Sequence, residues 1–154
     1  MTDEAAIRGW AKGVTETLGD AGLDLLINNA GVLTPGPIEV LPLEAIRREF
    51  DVNVFGALSV INAFLPALRK AQGRIVQIST WTASVPLPFN GPSGASKAAM
   101  EVFSAVYRAE LKSFGIDVVV AAEHWDTLQL VGNPSNSAPW VSPNIPRANS
   151  QGMF

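Results

Sequence analysis

The chain has 154 residues, 47% of them hydrophobic and 16% charged, with a formal net charge of −3. That apolar content supplies one ordinary core and excludes disorder over the whole length, while a charged fraction below the usual ~25% points to elements covered on both faces or to apolar surface awaiting a partner. The acidic balance argues against nucleic acid and anionic membrane, the lack of cysteine removes disulfides, thiolate metal sites and a cysteine nucleophile, and the lone His124 leaves no multi-histidine metal centre or histidine triad.

Asp3 to Leu18 reads as a helix, with Asp3 as cap and Gly19 near its stop. Met1 to Gly9 show no apolar core of a secretory signal. Leu23 to Asn28 is a short apolar strand that runs into the Asn-Ala-Gly turn signal, Asn29-Ala30-Gly31. A loop rich in proline and glycine, Leu33 to Leu41, leads to a long helix from about Pro42 to Ala71. Ile46, Phe50, Val54, Phe55, Leu58, Ile61, Phe64, Leu65 and Leu68 cover more than one of its faces, so it is expected to be buried on most sides.

Gly73 breaks the chain before a second strand, Arg74 to Ser79. A loop through Pro86, Pro88 and Pro92 opens a third helix, Ser93 to Phe114; Gly115 ends it, and Ile116 to Ala122 is a third strand. Its run Val118-Val119-Val120 fits a strand buried on both faces. The longest strongly apolar run, Val118 to Ala122, is far short of the ~20 residues that cross a bilayer, so the chain is expected to be soluble and cytoplasmic. The order α-β-α-β-α-β predicts an α/β fold with a parallel sheet and flanking helices over residues 1–131. Residues 132–154, rich in proline, asparagine and serine, read as an arm or tail.

Four separated segments, in order, resemble the short-chain dehydrogenase/reductase family. Asn28-Asn29-Ala30-Gly31 is similar to its motif after a strand, and Asp51-Val52-Asn53-Val54-Phe55-Gly56 to the helix segment that carries its asparagine. Gly73 to Thr80 resembles the strand ending at its catalytic serine, and Ser93-Gly94-Ala95-Ser96-Lys97 its Tyr-x-x-x-Lys helix. The resemblance covers residues 3 to 131. It implies a Rossmann-like doubly wound parallel sheet and hydride transfer between NAD or NADP and a carbonyl or alcohol. Position by position it implies catalytic roles at Asn53, Thr80 or the adjacent Ser79, Ser93 and Lys97. It implies contacts to the cofactor from Asn29, Ala30, Gly31, Lys97 and Thr127, and no metal. It also implies a homo-oligomer through the 42–71 and 93–114 helices.

Three departures bear on activity. The family's tyrosine position holds Ser93, whose aliphatic hydroxyl is a far weaker acid and shorter than a phenol. The only tyrosine, Tyr107, is ten residues beyond Lys97, about 15 Å along a helix. No Thr-Gly-x-x-x-Gly-x-Gly turn is found, and Gly9 and Gly13 fall inside the first predicted helix, so the fold is expected to lack the glycine-rich strand-turn-helix that seats pyrophosphate. The family's Pro-Gly before a nicotinamide-contacting threonine is replaced by Glu123-His124-Trp125-Asp126, ahead of Thr127. The expected function is therefore an NAD(P)-dependent oxidoreductase of impaired activity. The alternative is a non-catalytic remnant or oligomerisation module, one with an orphan edge at Leu23 to Asn28.

Overall fold

The computed structural model describes residues 3–123. Helix α1 (Glu4–Leu18) begins as expected: the Asp3 carboxylate accepts hydrogen bonds from the Ala5 and Ala6 N–H groups, each at 3.0 Å, and Gly19 closes the helix at φ +56°. Strand β1 (Leu25–Asn28) is shorter than the sequence suggested. The residues ahead of it are drawn into a turn against the next helix, where the Leu23 N–H donates to the Ala67 carbonyl.

The long helix is continuous from Leu43 to Ala71, but not uniformly α. It consists of α2 (Leu43–Phe50), a π-helical turn (Asp51–Gly56) and α3 (Ala57–Ala71). Such widened turns recur at functional sites because they displace side chains and backbone groups from ordinary helical positions. Helix Leu43–Ala71 is long and apolar enough by composition to cross a membrane, yet Val54, Ile61, Phe64 and Leu68 are buried within the fold, as in a core helix. Of the nine apolar residues named for this helix, Phe55 alone is exposed, at 58%, while Ile46, Phe50, Leu58 and Leu65 are half-buried.

Gly73 then turns into β2 (Arg74–Thr80). A Cβ at Gly73 would lie 2.2 Å from the Leu23 carbonyl oxygen, so only glycine lets β2 start alongside β1. Helix α4 (Gly91–Leu111) starts two residues before the predicted Ser93, and the predicted span to Phe114 finishes as a 3-10 turn, Lys112–Phe114. Strand β3 (Asp117–Glu123) completes a parallel three-stranded sheet in the order β1-β2-β3.

Register explains where the core sits. Leu26, Ile75 and Val118 are aligned across the three strands and buried under the helices, with Phe64, Ile61, Leu68 and Met100 above them. The next row, Ile27, Val76 and Val119, points to the opposite face. There Ile27 is 54% exposed and Val76 and Val119 are half-buried, so among the described residues Val118 to Val120 are not covered equally on both faces. Trp10 of α1 meets the Phe64 ring edge-on, with centroids 5.1 Å apart, and fixes α1 over α3.

Candidate functional site

Part of the predicted set, Gly31, Asn53 and Lys97, meets beyond the carboxyl end of β1. Asn29, Ala30 and Gly31 leave β1 as an exposed rim. Directly behind them stands Asn53, buried in the π turn. Its Oδ1 accepts the Val32 N–H at 2.8 Å, and its Nδ2 donates to the Val32 carbonyl at 2.9 Å and to Ser96 Oγ at 3.0 Å. These contacts fix the amide's orientation, since a flip would set donor against donor and acceptor against acceptor.

Lys97 is half-buried on α4, and its Nζ donates to the Ile78 carbonyl of β2 at 3.0 Å. A Cβ at Gly31 would lie 3.2 Å from Asn53 Oδ1 and 3.7 Å from Lys97 Nζ. Gly31, Asn53 and Lys97, drawn from three separate motifs, are therefore immediate neighbours. The missing side chain at Gly31 lets its backbone lie close against the Asn53 amide oxygen and the Lys97 ammonium group.

The hydroxyls are less uniform. Ser79 is buried on the helix-facing side of β2 and donates to Glu101 Oε1 of α4 at 2.6 Å, a tie between strand and helix. Thr80, the next residue, points the other way and is half-buried at the strand's end. Ser93 is buried in the first turn of α4, one helical turn before Lys97, and its carbonyl accepts from Ser96 Oγ at 2.9 Å. Tyr107 donates its hydroxyl to Asn62 Oδ1 of α3 at 2.8 Å, a separate link between the two helices. Thr127, His124, Trp125 and the 132–154 segment lie outside the described residues.

Two site residues were missed by the sequence reading. Ser96, fully buried, joins Asn53 to the backbone of Ser93; its signal was a hydroxyl beside Lys97 in a small-residue run. Glu49, also fully buried, lies four residues before Asn53 and accepts the Thr34 N–H on Oε2 at 2.8 Å. Its signal was an acid at helical spacing from an asparagine, on a face otherwise given to the core.

A cavity of about 530 Å³ opens between the Pro86–Gly91 loop, Ile38 and the Gly94, Ala95 and Ala98 stripe of α4. Gly94 and Ala98 each follow Ser93 and Lys97 by one residue, about 100° round α4, so the cavity adjoins the helix face that carries Ser93 and Lys97.

The chain resembles known proteins over this same region. A family model described as short chain dehydrogenase matches residues 1–123. Estradiol 17-beta-dehydrogenase 2 of Mus musculus is 43% identical over 107 residues, which cover 69% of this chain and 28% of that protein. NADPH-dependent 3-dehydrocapnine reductase of Ornithobacterium rhinotracheale is 33% identical over 144 residues, covering 86% of this chain and 51% of that one. Among solved structures, a short chain dehydrogenase from Burkholderia cenocepacia in complex with NADP superposes with a TM-score of 0.72 at 33% identity, over 80% of this chain and 50% of that one. A short-chain dehydrogenase from Streptomyces avermitilis gives 0.72 at 32% identity, over 77% and 44%. The chain thus spans about half or less of the length of these relatives.

Proposed function

The chain belongs to the short-chain dehydrogenase family, and from that premise we propose that it carries the carbonyl and nicotinamide-ribose side of an NAD(P)-dependent oxidoreductase site. The observation that carries this reading is the convergence of Gly31, Asn53 and Lys97 at the carboxyl ends of parallel strands, where ligands of such sheets bind. The residues present fit one end of the cofactor. Gly31 offers bare backbone, and Lys97 a cation beside it. Nothing comparable serves the pyrophosphate among the described residues: Gly9 and Gly13 lie inside α1, with open space around both.

In this reading a bound nicotinamide nucleotide supplies or accepts the hydride. Lys97 holds the ribose hydroxyls and raises the local positive potential, which favours developing oxyanion charge on the substrate. Thr80 offers the hydroxyl that polarises a carbonyl or alcohol, since Ser79 is already committed to Glu101. Asn53 holds the Val32 backbone in place under Gly31. Ser93 stands where proton transfer is required, and a short aliphatic hydroxyl performs that task poorly. Turnover by these 154 residues alone is therefore impaired. The substrate class is a small-molecule carbonyl/alcohol pair, and the setting cytoplasmic.

A second reading, a remnant that serves assembly, is favoured by the exposed apolar side chains of Phe55 on the π turn and of Val102, Phe103 and Val106 on α4. Here we propose a homo-oligomer through the Leu43–Ala71 and Gly91–Leu111 helices. Light scattering on the Val106→Lys variant tests it: dissociation is expected, and a monomeric parent chain would refute it.

For the redox reading, reduced nicotinamide mononucleotide is the probe. Titration followed by amide resonances is expected to move Gly31, Val32 and Lys97 selectively. Unchanged spectra at millimolar probe would defeat it.

A further inference from the structure

Glu49 is the one fully buried carboxyl group among the described residues, and no step above uses it. A buried carboxyl group is costly unless its oxygens are hydrogen-bonded. Each oxygen here faces a different part of the same site. Oε2 accepts the Thr34 N–H at 2.8 Å, and Oε1 lies 3.5 Å from Asn53 Nδ2. Asn53 in turn holds both backbone groups of Val32. One helical turn, Glu49 to Asn53, thus grips the loop after Gly31 at Val32 and again at Thr34.

We propose that Glu49 is a positioning residue: by anchoring Thr34 and facing Asn53 it sets the course of the Gly31–Thr34 loop past Lys97. A loop held at Val32 alone can pivot about that point, and the second anchor removes the pivot. The chemistry explains why an acid occupies a helix position where an apolar residue would pack at no polar cost. A carboxyl oxygen reaches past the helix backbone to a main-chain donor, and its twin stays on the donor side of the Asn53 amide, which reinforces that amide's orientation. The inference deepens the redox reading and rests on it for its functional meaning, but its structural content is measured without any cofactor.

The test compares Glu49→Gln and Glu49→Leu in the full chain by amide hydrogen exchange and by the Asn53 side-chain amide resonances. Loss of the acceptor in Glu49→Leu is expected to speed exchange at Thr34 by about tenfold, one hydrogen bond's worth. Glu49→Gln keeps the shape and one acceptor, so it is expected to restore most of that protection. It presents a donor to Asn53 Nδ2, however, and is expected to shift the Asn53 resonances while leaving those of Asn62 in place. Asn53 resonances that match the parent in Glu49→Gln, or unchanged Thr34 exchange in Glu49→Leu, would overturn the proposal. Should the leucine variant fail to fold, the Asn53 shift in Glu49→Gln decides alone. Failure of the redox reading shows separately, as unchanged spectra of the parent chain with the mononucleotide.

Discussion

Asn53 holds Val32 by both backbone groups, accepting its N–H at 2.8 Å and donating to its carbonyl at 2.9 Å. A side chain from a helix has taken the place of a neighbouring strand. Among the described residues the loop after β1 has no strand partner at this point, and the asparagine amide, with one donor and one acceptor face, reproduces the pattern of a peptide group. The π turn delivers it there.

Removing that amide is expected to be costly. Asn53→Ala leaves the Val32 groups without this partner and Ser96 Oγ without its donor. At about 1–3 kcal/mol for a buried group left unsatisfied, a loss of roughly 2–4 kcal/mol is expected in urea unfolding, water relieving part of it at the exposed Val32. Asn53→Asp, nearly identical in shape, sets an acceptor against the Val32 carbonyl and is expected to be no better than alanine. A neutral outcome for both variants would show that the clasp holds nothing.

Gly31 is expected to tolerate a methyl group poorly despite its exposure. The added carbon would meet Asn53 Oδ1 at 3.2 Å, so the amide must yield by a few tenths of an ångström while remaining bound to Val32. Gly31→Ala is expected to cost about 1 kcal/mol, the low end for overpacking, and to shift the Asn53 side-chain resonances. An unchanged melting midpoint with unchanged resonances contradicts the packing described.

The lone tyrosine gives a pH prediction with a direct optical readout. Burial pushes the Tyr107 phenol above its ordinary value of 10.0, and the nearby Glu110 carboxylate pushes it the same way. The folded state therefore keeps the phenolic proton to higher pH than the unfolded chain. Between the two values the native state binds more protons, so this contribution to stability is complete below about pH 10 and is lost as pH rises through the folded value. Tyrosinate absorbance is expected to titrate at higher pH in the native chain than in urea. Coincident curves would contradict the burial of Tyr107 between α3 and α4.

Much of this was legible in the sequence because it rests on local chemistry. Asp3 and Gly19 announced the ends of α1, Gly73 and Gly115 the breaks before two strands, and the motifs carrying Gly31, Asn53 and Lys97 marked residues that the fold brings side by side. The π turn was not legible, because nothing in the apolar spacing of Asp51 to Gly56 distinguishes it from an ordinary helix. Glu49 and Ser96 were missed for a related reason. Their roles depend on long-range partners, Thr34 and Asn53, which no spacing along the chain reveals. Ser79 and Thr80 differ only in which face of β2 each occupies, and register against β3 decides that.

The most direct measurement compares the affinity of the chain for reduced nicotinamide mononucleotide with its affinity for NADH and NADPH. If Gly31, Asn53 and Lys97 form the nicotinamide-ribose end and these residues supply no cradle for pyrophosphate, all three ligands bind within about threefold of one another, and Lys97→Ala weakens each alike. Dinucleotide binding tighter by about a hundredfold, nearly 3 kcal/mol of added contact, would contradict the account, because it requires a pyrophosphate and adenosine site in this chain.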